Sequence, residues 1–183
     1  MCIRDRHELR DHIGYVPQKG TLFTGTIESN LRYAKEDATE EELAKAAEIA
    51  QALEFIEEKP ERYETAITQG GTNVSGGQRQ RLSIARALVK KPEIYIFDDT
   101  FSALDFKTDA KLRKALNILC QETKSTVLLV AQRISSIMHA ERIVVLDKGE
   151  VVGIGNHEEL MKSCEVYQEI AYSQLSKEEL GNE

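Results

Sequence analysis

No apolar run in this chain of 183 residues approaches the length of a bilayer span, and no secretory leader pattern opens it. The expectation is a soluble, cytoplasmic chain. Cysteine is scarce: Cys2, Cys120 and Cys164 are far apart and odd in number. That excludes a disulfide framework and fits a reducing compartment. The four histidines, His7, His12, His139 and His157, lack the spacing of a metal site. Positive charge is in deficit, with a net charge of -7, which argues against a broad nucleic-acid footprint. Arg79, Arg81, Arg86, Lys90 and Lys91 gather on one predicted helix, where they read as a solvated face that complements its dipole. Repeats, low-complexity segments and coiled-coil heptads are missing as well. The length suffices for one core, divided at most into two subdomains.

Against these absences stands one informative stretch. Asn73-Val74-Ser75-Gly76-Gly77-Gln78-Arg79-Gln80-Arg81 reads as a glycine-rich turn opening a helix. Ser75, Gly76 and Gly77 are expected to leave backbone N–H groups uncovered at the positive end of that helix, where a phosphate is received. Leu82, Ala85, Leu88 and Val89 continue the helix, and Lys90-Lys91-Pro92 stops it. The apolar run Ile94-Tyr95-Ile96-Phe97 follows and ends in Asp98-Asp99. A run without polar alternation predicts a strand covered on both faces, as in a parallel sheet. Carboxylates at the carboxyl end of such a strand sit where open α/β sheets bind ligands. Asp98 is placed to hold Mg²⁺ on a nucleotide, and Asp99 to contact an attacking water.

In this order, the segments resemble the nucleotide-binding domain of ATP-binding cassette (ABC) transporters. Ser75-Gly76-Gly77-Gln78 matches the family's signature motif, and Ile94–Asp98 its Walker B strand. The resemblance covers about residues 8–175 and implies ATP and Mg²⁺ as cofactors. It implies an α/β fold: part of a P-loop NTPase (RecA-like) core with a parallel sheet, plus a helical subdomain. The family's first strands and its Gly-Lys-Ser/Thr loop, which cradles the phosphates, have no counterpart in the sequence. Met1 falls in the middle of a family domain, so the leading residues are expected to reflect how the segment was delimited. The expected divisions are 1–24, a core segment with the Q-loop; 25–90, the helical subdomain; 91–175, the second half of the core; and 176–183, a polar tail.

In chain order, Ile13–Val16 is a short apolar strand leading into Pro17-Gln18. The resemblance makes Gln18 the Q-loop glutamine, which reaches Mg²⁺ and the attacking water. Gly20 to Leu31 is similar to the segment that faces the membrane domain's coupling helices in ABC exporters. It can also tuck Leu22, Phe23, Ile27 and Leu31 into a core. Thr39 with Glu42 forms a capping box, and Leu43, Ala46, Ala50 and Leu53 follow at helical spacing toward Phe55 and Ile56. Residues 65–72 read as a loop, with Thr68-Gln69-Gly70-Gly71 where exporters often carry an acidic residue. Thr100-Phe101-Ser102-Ala103-Leu104-Asp105 matches the D-loop, which crosses a dimer interface; Asp105 also suits a helix N-cap. Residues 126–131 predict a second central strand, with Gln132-Arg133 at its end. A hairpin through Asp147-Lys148-Gly149-Glu150 and a helix capped by Asn156 and Glu159 complete the pattern.

Two positions depart from a competent family site. The family's catalytic base is Glu, and Asp99 is one methylene shorter, which slows attack by lengthening its reach to the water. Gln132 stands where the family has the switch His; an amide donates a hydrogen bond but relays no proton. Both affect one chemical step. Family dimers place each ATP between the Walker motifs of one domain and the signature of the other. Asp99 and Gln132 therefore belong to this chain's own site, and Ser75-Gly76-Gly77-Gln78 to the partner's. The expectation is the degenerate-site half of a heterodimeric exporter at the cytoplasmic face of a membrane. Its partners are a second, different nucleotide-binding domain and the coupling helices of a transmembrane domain. Alternatives are a soluble ABC protein acting on DNA or the ribosome and a non-catalytic interaction module. Without a phosphate loop, the isolated residues are expected to bind nucleotide weakly or not at all.

Overall fold

The computed structural model describes residues 3–175, which fall into two compact units divided between Val130 and Ala131. The expected polar tail from Ser176 lies outside the described residues. In the first unit, helix α1 (Ile3–Asp11) leads into β1 (Ile13–Val16), and β2 (Gly25–Thr26) leads into α2 (Ile27–Arg32). Helix α3 (Glu40–Ile49) starts at the expected capping box: the Thr39 hydroxyl accepts from Glu42 N–H, and the Glu42 carboxylate accepts from Thr39 N–H. The helical run expected to continue through Leu53 instead breaks at Gln51, whose φ is 56°, and resumes as α4 (Leu53–Glu57). Residues 65–72 are more than a loop. They hold β3 (Ala66–Ile67), antiparallel to β2, and a 3₁₀ turn over Gln69–Gly71.

Helix α5 (Gly76–Val89) packs its Leu82, Ile84, Ala85 and Leu88 into the core of this unit. Strand β4 (Ile94–Asp98), α6 (Phe106–Thr123) and β5 (Thr126–Val130) follow. The sheet is parallel, in the order β1-β4-β5, with Tyr15 opposite Ile96 and Asp98 opposite Val130. Gly14 is needed where β1 passes the helix layer, because a Cβ there would lie 2.7 Å from the Pro92 ring. Strand β4 is not covered on both faces as its composition predicts. Tyr95 and Phe97 are buried on one face, while Ile94, Ile96 and Asp98 are only half-buried on the other. Among the described residues strand β5 is not central but an edge, and Leu128 is 54% exposed. An apolar run reports burial only when layers cover both faces of its sheet, and among the described residues one face of this sheet is open.

The basic residues of α5 are not a solvated face either. Arg79 donates to the Gly70 carbonyl, Arg81 to Gln51 O at 2.6 Å, Arg86 to Thr21 O at 2.6 Å and Lys90 to Arg10 O at 2.6 Å. Arg81 also stacks over the Phe55 ring, and Arg86 over Phe23. These side chains tie loops to the helix through backbone carbonyls, which a charge pattern alone does not reveal.

The second unit contains α7 (Ile134–Ile137), β6 (Ile143–Asp147), β7 (Glu150–Gly155), α8 (His157–Ser163) and α9 (Glu165–Gln174). Strands β6 and β7 form the expected antiparallel hairpin, pairing Asp147 with Glu150. Its two loop residues, Lys148 and Gly149, both have positive φ, at 48° and 85°, the twist that two-residue hairpins favour. Asn156 and Glu159 cap α8 reciprocally. Ile143, Val145, Leu160, Tyr167 and Ala171 form a core of their own.

Candidate functional site

The carboxyl ends of β1 and β4 lie side by side, which brings four predicted or neighbouring polar groups together. Gln18 Nε2 donates to Asp99 Oδ2 at 3.0 Å, and Tyr15 Oη donates to Asp98 Oδ2 at 3.1 Å. The bond to Asp98 raises the Tyr15 phenol above its ordinary pKa. Asp99 is nearly buried and left-handed, with φ 43° and ψ 31°. That turn bends the chain out of the strand into a 3₁₀ turn over Thr100–Ala103, where Thr100 Oγ1 donates to Val16 O at 3.1 Å. Phe101 anchors the turn against the Phe97 ring, with centroids 5.4 Å apart.

The start of α5 is built differently. The Ser75 hydroxyl accepts from Gln78 N–H at 3.2 Å, and Gln78 Oε1 accepts from Ser75 N–H at 3.1 Å. The Ser75 N–H expected to be uncovered is thus capped by its own helix, leaving those of Gly76 and Gly77 with no partner among the described residues. A Cβ on Gly76 would meet nothing within 4 Å, and one on Gly77 only Ala103 O at 3.7 Å. Both N–H groups stand unpartnered among the described residues at the positive end of a 14-residue helix, a position that favours an anion.

Asp105 is the N-cap of α6, accepting from Thr108 N–H at 2.9 Å and from its hydroxyl at 2.7 Å. The Thr108 backbone and then its hydroxyl hold the Asp105 carboxyl below its usual range. Gln132 lies in the second unit, exposed, with its backbone carbonyl accepting from Gln174 Nε2 at 2.9 Å.

Gln18 and Asp98 supply hard oxygen donors that suit Mg²⁺. No group of three or more His, Cys, Asp or Glu among the described residues could hold a metal ion alone. Tyr15, bonded to Asp98, and Gln80, whose amide bonds Pro17 O and Gly20 N–H on either side of Gln18, are not among the site residues expected from the sequence. The signal for Gln80 was available: it stands in line with Ile84 and Leu88 on the apolar stripe of α5, where a polar residue requires a partner.

A parallel sheet with carboxylates at its strand ends, beside a glycine-opened helix, defines a nucleotide-binding α/β domain. Comparison with known proteins makes this specific: the family model described as ABC transporter matches residues 2–102. The chain is 44% identical over 170 residues to the ABC transporter ATP-binding protein YfiB of Bacillus subtilis (strain 168), covering 93% of this chain and 29% of that protein. It is 47% identical over 168 residues to an ATP-dependent lipid A-core flippase of Desulfotalea psychrophila, covering 91% of this chain and 29% of that protein. A bacterial Atm1-family ABC exporter, solved with ATP bound, superposes with a TM-score of 0.89 at 34% identity, over 94% of this chain and 30% of the solved one. The chain belongs to the ABC transporter family, and its fold is a partial ABC nucleotide-binding domain of the P-loop NTPase type. It spans 29% of the length of these two curated relatives. Among the described residues no helix is long and apolar enough to cross a membrane.

Proposed function

We propose that this chain is the ATP-binding part of an ABC exporter, with a weak site of its own and a signature motif that completes the site of a different partner chain. One observation carries the reading. The first turn of α5 leaves Gly76 and Gly77 N–H without a partner among the described residues, while at the strand end the base position is the short Asp99, already engaged by Gln18. In this reading Asp98 and Gln18 hold Mg²⁺, which supplies charge neutralisation on the nucleotide phosphates when bound. Asp99 orients the attacking water, and Gln132 donates a hydrogen bond to the terminal phosphate. Asp105 serves the dimer interface, and Ser75, Gly76, Gly77 and Gln78 receive the partner's nucleotide. The activity is ABC-type ATP hydrolysis coupled to transport, at the cytoplasmic face of the membrane.

The membrane domain's coupling helices dock beside the segment after Gln18. There Phe23 and Tyr33 pair with ring centroids 4.5 Å apart, and Tyr33 is 71% exposed. Relatives named as a lipid flippase and a glucan export protein support export as the direction of transport. The test substitutes Asp99→Glu and Gln132→His in the full-length pair and measures turnover at this site alone. The expected result is a rise of about tenfold or more, because general acid–base catalysis contributes on the order of 10²–10⁴. An unchanged rate overturns the assignment of weakness to these residues.

A further inference from the structure

We propose that Gln80 is a positioning residue for Gln18. It follows the signature motif by two positions on α5 and is only 2% exposed. Its Nε2 donates to the Pro17 carbonyl at 3.2 Å, and its Oε1 accepts from the Gly20 N–H at 2.7 Å. One buried amide therefore clasps the loop on both sides of Gln18. Both halves of that amide are satisfied by backbone, so neither can turn away without leaving a buried polar group unpaired.

The approach is close. A Cβ on Gly20 would lie 2.8 Å from Gln80 Oε1 and 3.1 Å from Arg79 O. Arg86, further along the same helix, adds a third tie at Thr21 O, 2.6 Å away. The loop is thus fastened to α5 at residues 17, 20 and 21, and Gln18 spans from it to Asp99 Oδ2. The helix that opens with Gly76 and Gly77 also sets where Gln18 stands. The consequence rests on the function proposed above: an anion engaged at Ser75–Gln78 by the partner's nucleotide is felt at Asp99 through Gln80. The clasp itself does not depend on that reading.

The test uses the 183-residue chain and the substitution Gln80→Met, which keeps side-chain length and removes both hydrogen bonds. Amide exchange and the side-chain amide resonance of Gln18 are followed by NMR. Exchange at Gly20 is expected to rise about tenfold or more, and the Gln18 resonance to move to that of a free glutamine. The amides of Ile84 and Leu88 are expected to keep their protection. Unchanged exchange at Gly20 with an unmoved Gln18 resonance overturns the proposal. If Gln80→Met unfolds α5, Gly20→Ala puts the question from the loop side: release of Gln18 supports the clasp, and retention overturns it. A clasp that behaves as expected in a pair showing no signature-dependent turnover would sink the exporter reading and leave Gln80's role intact.

Discussion

Helices α3 and α5 begin with the same local device and opposite electrostatics. Thr39 with Glu42 and Ser75 with Gln78 are both reciprocal capping boxes. In α3 the first turn carries Glu40, Glu41 and Glu42, so the helix neutralises its own positive end. Glu42 also takes Lys91 and Lys35 at 2.6 and 2.9 Å. In α5 the capping residue is an uncharged amide, and the first turn has no acidic residue. One helix start neutralises its own positive end; the other does not, and in the proposed function it receives an anion from outside. The capping pattern identifies both as helix starts; the charge carried by the first turn is what distinguishes them.

The largest effect concerns the frame that holds the open start in place. Leu82→Ala removes a fully buried side chain of α5 and is expected to cost about 2–5 kcal/mol of unfolding free energy. A loss below about 1 kcal/mol in urea titration would mean that α5 is not fixed by the core. Next, Gln78→Glu makes α5 resemble α3. The capping box survives and the isolated chain gains about 0.3–1 kcal/mol, while turnover at the partner's site in the full-length pair falls about 100-fold. Equal turnover would erase the distinction between the two helix starts.

A smaller change is expected from Gly76→Ala combined with Gly77→Ala. Both positions have room for a Cβ, so thermal melts should show a gain of about 0.4–1 kcal/mol per site. In the proposed function the added methyl groups keep an anion from approaching the backbone closely, so nucleotide engagement by the partner should weaken. The smallest effect lies in α3. Hydrogen bonds from Lys91, then Lys35 and the Thr39 N–H, lower the Glu42 pKa from 4.5 to about 2. A folded value below the unfolded one stabilises the protein above pH 4.5, and the contribution disappears as pH falls toward 2. Glu42→Gln should therefore melt lower than wild type at pH 7, the gap closing across that window. A gap independent of pH would show that ionisation of Glu42 is not the cause.

What the sequence disclosed was mostly local. Capping pairs three residues apart, the Lys148-Gly149 turn and the apolar run ending in Asp98-Asp99 each depend on neighbours in the chain. What it withheld depends on distant partners. Tyr15 reaches Asp98 across 83 positions and Gln80 reaches Gly20 across 60. The coverage of β4 and β5 was misjudged because composition reports apolarity, whereas burial depends on which layers lie above and below. The arginines of α5 were misjudged for the same reason: their carbonyl partners lie on loops that spacing along one helix cannot locate.

The central claim is the proposal that this chain's own nucleotide site hydrolyses slowly while the site its Ser75–Gln78 segment completes turns over. It is tested most directly by photolabelling the full-length pair with azido-ATP carrying an α- or a γ-phosphate label, then following each label on each chain through one turnover. The account predicts that this chain keeps both labels while the partner loses the γ-label. Loss of the γ-label from both chains at the same rate would contradict it.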